Sequence, residues 1–364
     1  MQISAVISFL ETLAHPSLQE HYDNAGLITG NADWECKRIV ISLAATEEVV
    51  REAIAKKCNL IIAHHPVIFS GIKKINGKNY VEKTIIAVIK NDIAIYAIHT
   101  NLDNIIEGVN GKMAKMLGLQ NISILLQKEN TLKKLFTFVP VDKAEQVRNV
   151  IFQAGGGHIG NYSECSFNAE GTGTFKAGEG TNPYIGEAGK QHQEKEIKIE
   201  VIFPSFLEHA IIAAMKTAHP YEEVAYDVVN LSNTYQNIGA GVIGELPEAV
   251  AEKDFLRRVK EVFKVPVIRH TSLLKKPVKK IALCGGAGSF LISKAMAAGA
   301  DVYITADIKY HEFFDAESRI LIADIGHYES EQFTIILLHE ILLQKFPTFA
   351  ILKTEVVTNP VQYF

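Results

Sequence analysis

Three stretches of this chain, RIVISLA (38–44), NLIIAHHP (59–66) and IAIYAIHTNLD (93–103), each carry a run of largely apolar residues, and amphipathic helical segments separate them. A strand with one solvent face would alternate apolar and polar residues; continuous runs require burial on both faces. With TEEVVREAIAKKC and VEKTIIAVIKND supplying the crossovers, the pattern predicts an α/β fold with a mostly parallel sheet. The rhythm returns after residue 238. DFLRRVKEVF, SFLISKAMAAG and SEQFTIILLHEILLQKF are expected helices, and KKIALCGG, ADVYITAD, RILIADIG and FAILKTEVV expected strands.

Between these halves the rhythm changes. KLFTFVP, DKAEQVRNVIFQAG, the SECSFNAE/GTGTF region, EIKIEVIFP, SFLEHAIIAAMKTA and EVAYDVVNL follow in the order β-α-β-β-α-β, the split βαβ pattern of a ferredoxin-like sandwich. The polar, glycine-rich span GEGTNPYIGEAGKQHQEKE inside it reads as a long exposed loop. A chain of 364 residues exceeds what one core usually organises. The economical division is a two-segment core, residues 1–129 and 238–364, interrupted by an α+β insert at 130–237.

Composition narrows the function classes. Hydrophobic residues make up 48% and charged residues 21%, an ordinary globular balance, and the formal net charge of −4 argues against general attraction to nucleic acid or anionic membranes. The lysines at 73, 74 and 78 and at 275, 276, 279 and 280 read as solvated turns. Cys36, Cys58, Cys165 and Cys284 are far apart and form no CxxC pair, so neither a disulfide framework nor a zinc knuckle is suggested and a reducing cytoplasm is expected. MQISAVISFLETLAHP reads as an amphipathic opening helix, and FTIILLHEILL, broken by His339 and Glu340, is too short to span a membrane.

Chemistry concentrates where apolar strands end, which is where open α/β sheets bind ligands. LIIAHHP delivers His64 and His65 at the turn made by Pro66, IAIYAIHTNLD delivers His99, Asn101 and Asp103, and ILIADIGHYESEQF delivers His327 and Glu331 four residues apart on one face of a starting helix. Each element alone reads as a polar cap or an ion-paired helix start. Three strands bringing imidazoles and carboxylates to one edge predict a metal site built from His64, His65, Asp103, His327 and Glu331, with His99 ligating or orienting a ligand. Adjacent strand residues point to opposite sides, so two ions sharing bridging carboxylates suit the set better than one. Mixed imidazole and carboxylate ligation suits zinc, iron or manganese.

Further groups lie close by in sequence. Asp307, Lys309 and His311 follow another strand end, with Lys309 and His311 candidates for binding substrate or moving protons. Tyr22, Asp23 and Asn24 read equally as an Asx-type turn. CGGAGS (284–289) lacks the GxGxxG spacing and reads mainly as a tight strand-to-helix turn. In the insert, His158 and His219 read as structural.

Together HYDNAGL, AHHPVIFSGIKKI, HTNLDN, GGAGS, TADIKYHEFFDA and GHYESE resemble the GTP cyclohydrolase 1 type 2 homolog family, also called NIF-three-like proteins. The resemblance covers both α/β segments in order. It implies a dinuclear metal centre whose ligand pattern carries onto His64, His65, Asp103, His327 and Glu331. It also implies a toroidal homohexamer and, in longer bacterial members, a middle domain similar to PII and CutA proteins. Ala306 departs from the glycine often found there. The activity implied is that of a metal-dependent hydrolase acting on a nucleotide or related small molecule; a metal-binding, ligand-sensing or regulatory protein without catalysis is the alternative.

Overall fold

The computed structural model describes residues 1–364. Its strands in the first segment are β1 (Gly26–Thr29), β2 (Ile39–Ala44), β3 (Leu60–His65), β4 (Ala94–Ala97) and β5 (Gln120–Gln127). The middle of the chain holds β6 (Leu132–Pro140), β7 (Phe167–Lys176), β8 (Gln191–Pro204) and β9 (Tyr226–Asn230). The last segment adds β10 (Gly239–Ala251), β11 (Arg269–His270), β12 (Pro277–Ala287), β13 (Val302–Ala306), β14 (Leu321–Asp324) and β15 (Ile351–Lys353). The chain separates into two compact units, Met1–Leu126 with Asn237–Phe364, and Gln127–Gln236.

The larger unit contains two sheets. In the order β1-β4-β3-β2-β15, the inner strands run parallel and β1 closes the edge antiparallel. In the order β11-β14-β13-β12-β10-β5, the pairs around β13 are parallel while β10 and β11 pair antiparallel. Ile39, Ile41, Leu60 and Ile62 share one core with Ile281, Leu283, Val302 and Ile304, so the sheets face each other across a layer containing Leu10, Phe255 and Leu338 from three helices. Val40, Ile61 and Ile95 pack beneath the helices Glu47–Ala55 and Tyr80–Lys90 on the far side of the first sheet. Burial on both faces is the reason the parallel strands carry no polar alternation.

Helix ends are set locally. Thr46 caps Glu47–Ala55, accepting from Val49 N–H, and Glu47 and Glu48 occupy the first turn where the helix dipole favours anions. Asn79 accepts from Glu82 N–H at 2.9 Å, and the Glu82 carboxylate accepts in return from Asn76 and Lys78 N–H, pinning the loop before the helix.

The smaller unit has the sheet order β7-β8-β6-β9, antiparallel throughout, with the helices Ala144–Gln153 and Glu208–Ala218 on one face. This is the ferredoxin-like topology expected from the β-α-β-β-α-β order. The long loop expected at 178–196 is shorter: from Gln191 it is already β8, pairing with β7 from Lys176↔Gln191 onward. Its residues are polar on both faces, so no apolar period marks it. Likewise HTNLD is a short helical turn, Thr100–Asp103, after β4, and the helix expected from Ser330 onward breaks into His327–Glu331 and Thr334–Lys345.

No helix is long and apolar enough to cross a membrane, and all four cysteines are free.

The three-residue strand β15 is anchored by Glu52, whose side chain is 9% exposed. Its carboxylate accepts from Lys56 at 2.7 Å, from Glu355 N–H at 2.9 Å and from the Thr354 hydroxyl. Burial alone would raise this carboxyl, but those donors outweigh it and hold it below its ordinary 4.5. A depressed carboxyl stabilises the fold above the unfolded value, and that contribution is lost as pH falls through the folded one. Glu52→Gln is expected to cost about 1–2 kcal/mol at pH 7 in denaturant titrations. The gap to the unsubstituted chain should close as pH drops below 4.5; a gap that stayed constant would refute the assignment.

Candidate metal centre

Parallel pairing aligns strand ends, and the larger unit uses this to assemble a cluster. His64 and His65 end β3 and His99 follows β4, its hydrogen-bonded neighbour. From the facing sheet, the turn after β14 starts the helix that carries His327 and Glu331, and Gly285 and Gly286 near the end of β12 pass beside Glu331. The turn Thr100–Asp103 aims Asp103 back toward His64.

Glu331 lies at the centre with a side chain 3% exposed. Its Oε2 is 2.9 Å from His65 Nε2 and 3.1 Å from His327 Nε2, and its Oε1 is 3.9 Å from His64 Nε2. The two adjacent histidines therefore converge. Their ring centroids are 5.0 Å apart, because His65 is the last strand residue and the chain turns immediately after it. The expectation that they diverge to serve separate ions is corrected on this point.

Three imidazoles are oriented through Nδ1. His64 donates to the Ile98 carbonyl at 2.8 Å, His99 pairs with Asp23 Oδ1 at 2.8 Å, and His327 pairs with Asp307 Oδ2 at 2.7 Å. Each arrangement leaves Nε2 facing the cluster, the second hydrogen bond that metal-ligating histidines commonly carry. Asp23 is held in turn by Thr100, through its backbone N–H at 3.0 Å and its hydroxyl. Asp307 adopts φ 56°, a left-handed conformation that costs a non-glycine residue on the order of 1 kcal/mol.

Two atoms are left without partners. His64 Nε2 and Asp103 Oδ1 are buried, make no hydrogen bond and lie 3.6 Å apart. An unsatisfied buried polar atom costs roughly 1–3 kcal/mol, so native structures seldom keep two facing each other. A cation accepting both lone pairs removes that cost. Ligand atoms of His64, His65 and His99 lie within 4.8 Å of one another, as do those of His65, His327 and Glu331, so these residues could hold a metal ion. Neutral imidazoles with carboxylates form a donor set suited to zinc, iron or manganese.

Without a metal the cluster is held by charge pairing. Burial works against charge on His64, but Asp103 and Glu331 overcome it and push the ring up to about 9. His327 is likewise desolvated, yet Asp307 and Glu331 raise it to about 10. Burial raises Asp103 to about 6, whereas Glu331 is pulled well below the usual carboxylate range by the surrounding histidines despite its burial. The cluster thus balances carboxylate charge with imidazolium charge, which a divalent ion would replace.

A cleft of about 780 Å³ opens beside His65, His327 and Asp307, with Tyr80, Arg269 and Tyr328 also on its walls. Lys309 and His311 are exposed, His311 against Tyr310 and Phe314. CGGAGS is not the tight turn expected: β12 runs through Ala287 with a register shift after Leu283, and only Gly288 separates it from the 3-10 helix Ser289–Leu291. Gly285 N–H donates to Asn110 and Gly286 N–H to Ser330, so these amides are already engaged.

The role of Asp23 is hidden in the local sequence. An Asx-type turn accounted for DN equally well, and only the fold carries that carboxylate 76 residues along the chain to His99. Asp307, placed there only beside the site, proves to orient His327.

These observations define a class: an α/β protein with a candidate metal centre where parallel strands of two facing sheets end together. The model of the Duf34/NIF3 family (NGG1p interacting factor 3) matches residues 1–360, and the chain belongs to that family. It is 41% identical to the GTP cyclohydrolase 1 type 2 homolog of Halalkalibacterium halodurans, over 88% of this chain and 87% of the relative. The protein of the same name from Bacillus subtilis is 39% identical, over 89% and 87%. Among solved structures, a Bacillus cereus protein related to NIF3 superposes with a TM-score of 0.88 at 40% identity, covering 100% of this chain and 99% of the other.

Gly286 tests the cluster's packing. It has φ +62°, and a Cβ there would lie 2.4 Å from Glu331 Oε1, a side chain already held by two histidines. Gly286→Ala is expected to destabilise the protein by about 1–3 kcal/mol in thermal unfolding and to weaken divalent-metal binding at least about tenfold. Unchanged affinity would show that Glu331 has no part in holding metal.

Proposed function

We propose that this protein holds two divalent ions and uses them to hydrolyse a nucleotide or a related small molecule. The observation that carries the reading is the overlap of two ligand groups at His65, with the unpartnered His64 Nε2 and Asp103 Oδ1 at one side. One group draws on His64, His65 and His99, with Asp103 facing His64 at 3.6 Å; the other on His65, His327 and Glu331. Such ions supply Lewis acidity, making a water more acidic and offsetting negative charge on a substrate.

The chain's own residues supply orientation and access. Ile98, Asp23 and Asp307 fix the three ring planes, so little reorganisation is needed when a ligand binds. The cleft beside His65 and His327 has the volume of a small-molecule site. Tyr80 and Tyr328 give it aromatic surface suited to a base. Lys309 and His311, close in sequence to Asp307, are assigned to charge or proton transfer with bound substrate. The name shared by the relatives, GTP cyclohydrolase 1 type 2 homolog, supports a nucleotide.

Elemental analysis of the untagged protein is expected to give two divalent ions per chain, falling in His65→Ala and Glu331→Gln. Metal-loaded protein should turn over GTP or a member of a phosphoester panel, with at least about a hundredfold loss in either variant. Turnover that survives both substitutions would refute the hydrolase; stoichiometric metal with no turnover would favour a sensing role.

The assembly implied by the resemblance belongs to the same proposal. Light scattering should give six times the 40.2 kDa chain mass; a monomer would overturn the hexamer.

A further inference from the structure

The smaller unit has two unlike sheet faces. Leu135, Val139, Ile199, Val201 and Phe203 pack beneath its helices. Alternate residues of the same strands look the other way: Phe138 beside Lys198, Glu196 beside Gly171, and Gly173 and Phe175 further along β7. The glycines leave space above Glu196, and that space belongs to a mainly apolar cavity of about 630 Å³.

Aromatic rings line it. Phe175 and Tyr184 each stand 6.2 Å from the Tyr221 ring, inclined at 54° and 51°, so the three rings form a corner and not a stack. Tyr221 is locked in place. Its backbone N–H donates to His219 Nδ1 at 3.1 Å, His219 Nε2 donates to the Phe138 carbonyl at 3.0 Å, and the two rings meet edge to face at 5.0 Å.

Within this corner lies a carboxylate. Glu196 is 8% exposed, its Oε1 accepts from the Tyr221 hydroxyl at 2.9 Å, and a Cβ on Gly173 would sit 2.1 Å from its Oε2. The wall also carries Glu170, Glu222 and Glu223 against Lys176 and Lys198. Lys198 is committed elsewhere, with its ammonium 2.8 Å from Glu200 and 4.6 Å from the Phe136 centroid. The cavity therefore combines an acidic balance with aromatic and apolar walls.

We propose that this cavity is a binding site for a small organic cation, an alkylated ammonium group seated among Phe175, Tyr184 and Tyr221 with Glu196 as its counter-charge. Aromatic faces carry negative quadrupole density that attracts a cation within about 6 Å, most strongly when it is desolvated. Methyl groups on nitrogen suit apolar walls that would leave an inorganic ion without ligands. A single carboxylate offsets one positive charge. None of these groups belongs to the candidate metal centre, so the proposal stands apart from the hydrolase reading.

The test titrates the full chain with choline and with its neutral isostere 3,3-dimethyl-1-butanol, by calorimetry and saturation-transfer NMR. Choline should bind saturably, one per chain, at least about tenfold tighter than the isostere. Glu196→Gln should remove most of that preference while leaving metal content unchanged. Tyr184→Ala alters a half-exposed loop side chain; it should weaken choline at least about threefold with no change in thermal unfolding. Equal affinity for the two compounds, or choline binding that survives both substitutions, would overturn the proposal. So would a flat titration, the outcome expected if a second copy of the chain covers this face.

Discussion

The candidate centre depends on one buried carboxylate. Glu331 has almost no contact with water, and a bare anion there would be prohibitively costly without compensating charge. His65 and His327 meet one of its oxygens and His64 faces the other. Because those histidines come from both sheets, the carboxylate also ties the first segment of the chain to the last. The glycine beside it follows from the same constraint: Gly286 has φ +62°, and a Cβ there would lie only 2.4 Å from Glu331 Oε1.

Support extends outward in the same manner. Ile98, Asp23 and Asp307 each hold one ring by its Nδ1, and Thr100 and the left-handed backbone at residue 307 hold two of those holders. The geometry is kept rigid by groups that do not face the cluster, and substitutions among them should act on ligand geometry before they act on the fold.

The sequence carries the parallel strands openly, because burial on both faces leaves continuous apolar runs at 39–44, 60–63 and 94–98. It carries the ligands too, since His64, His65, Asp103, His327 and Glu331 all follow such runs. What it hides has physical causes. β10 contains glycines, Pro247 and a register shift between Glu245 and Val250, so its period is broken. The first residues of β8 are polar on both faces and show no period at all. Asp23 looks like a turn residue because its partner is remote, and the convergence of His64 and His65 depends on where the strand stops, which local pattern does not specify.

The order of the chain has a consequence for how the protein reaches this state. β15 pairs with β2, and Glu331 meets His65 across 266 positions, so neither the first sheet nor the cluster is complete until the final segment has been made. The middle unit closes on contacts among its own residues and is free to form earlier. His64 and His99 find their Nδ1 partners within the first segment, but the carboxylate that joins His64 and His65 lies beyond the whole middle unit in the chain. Assembly of the centre thus waits on residues late in the sequence: a product truncated before residue 327 would lack both His327 and Glu331.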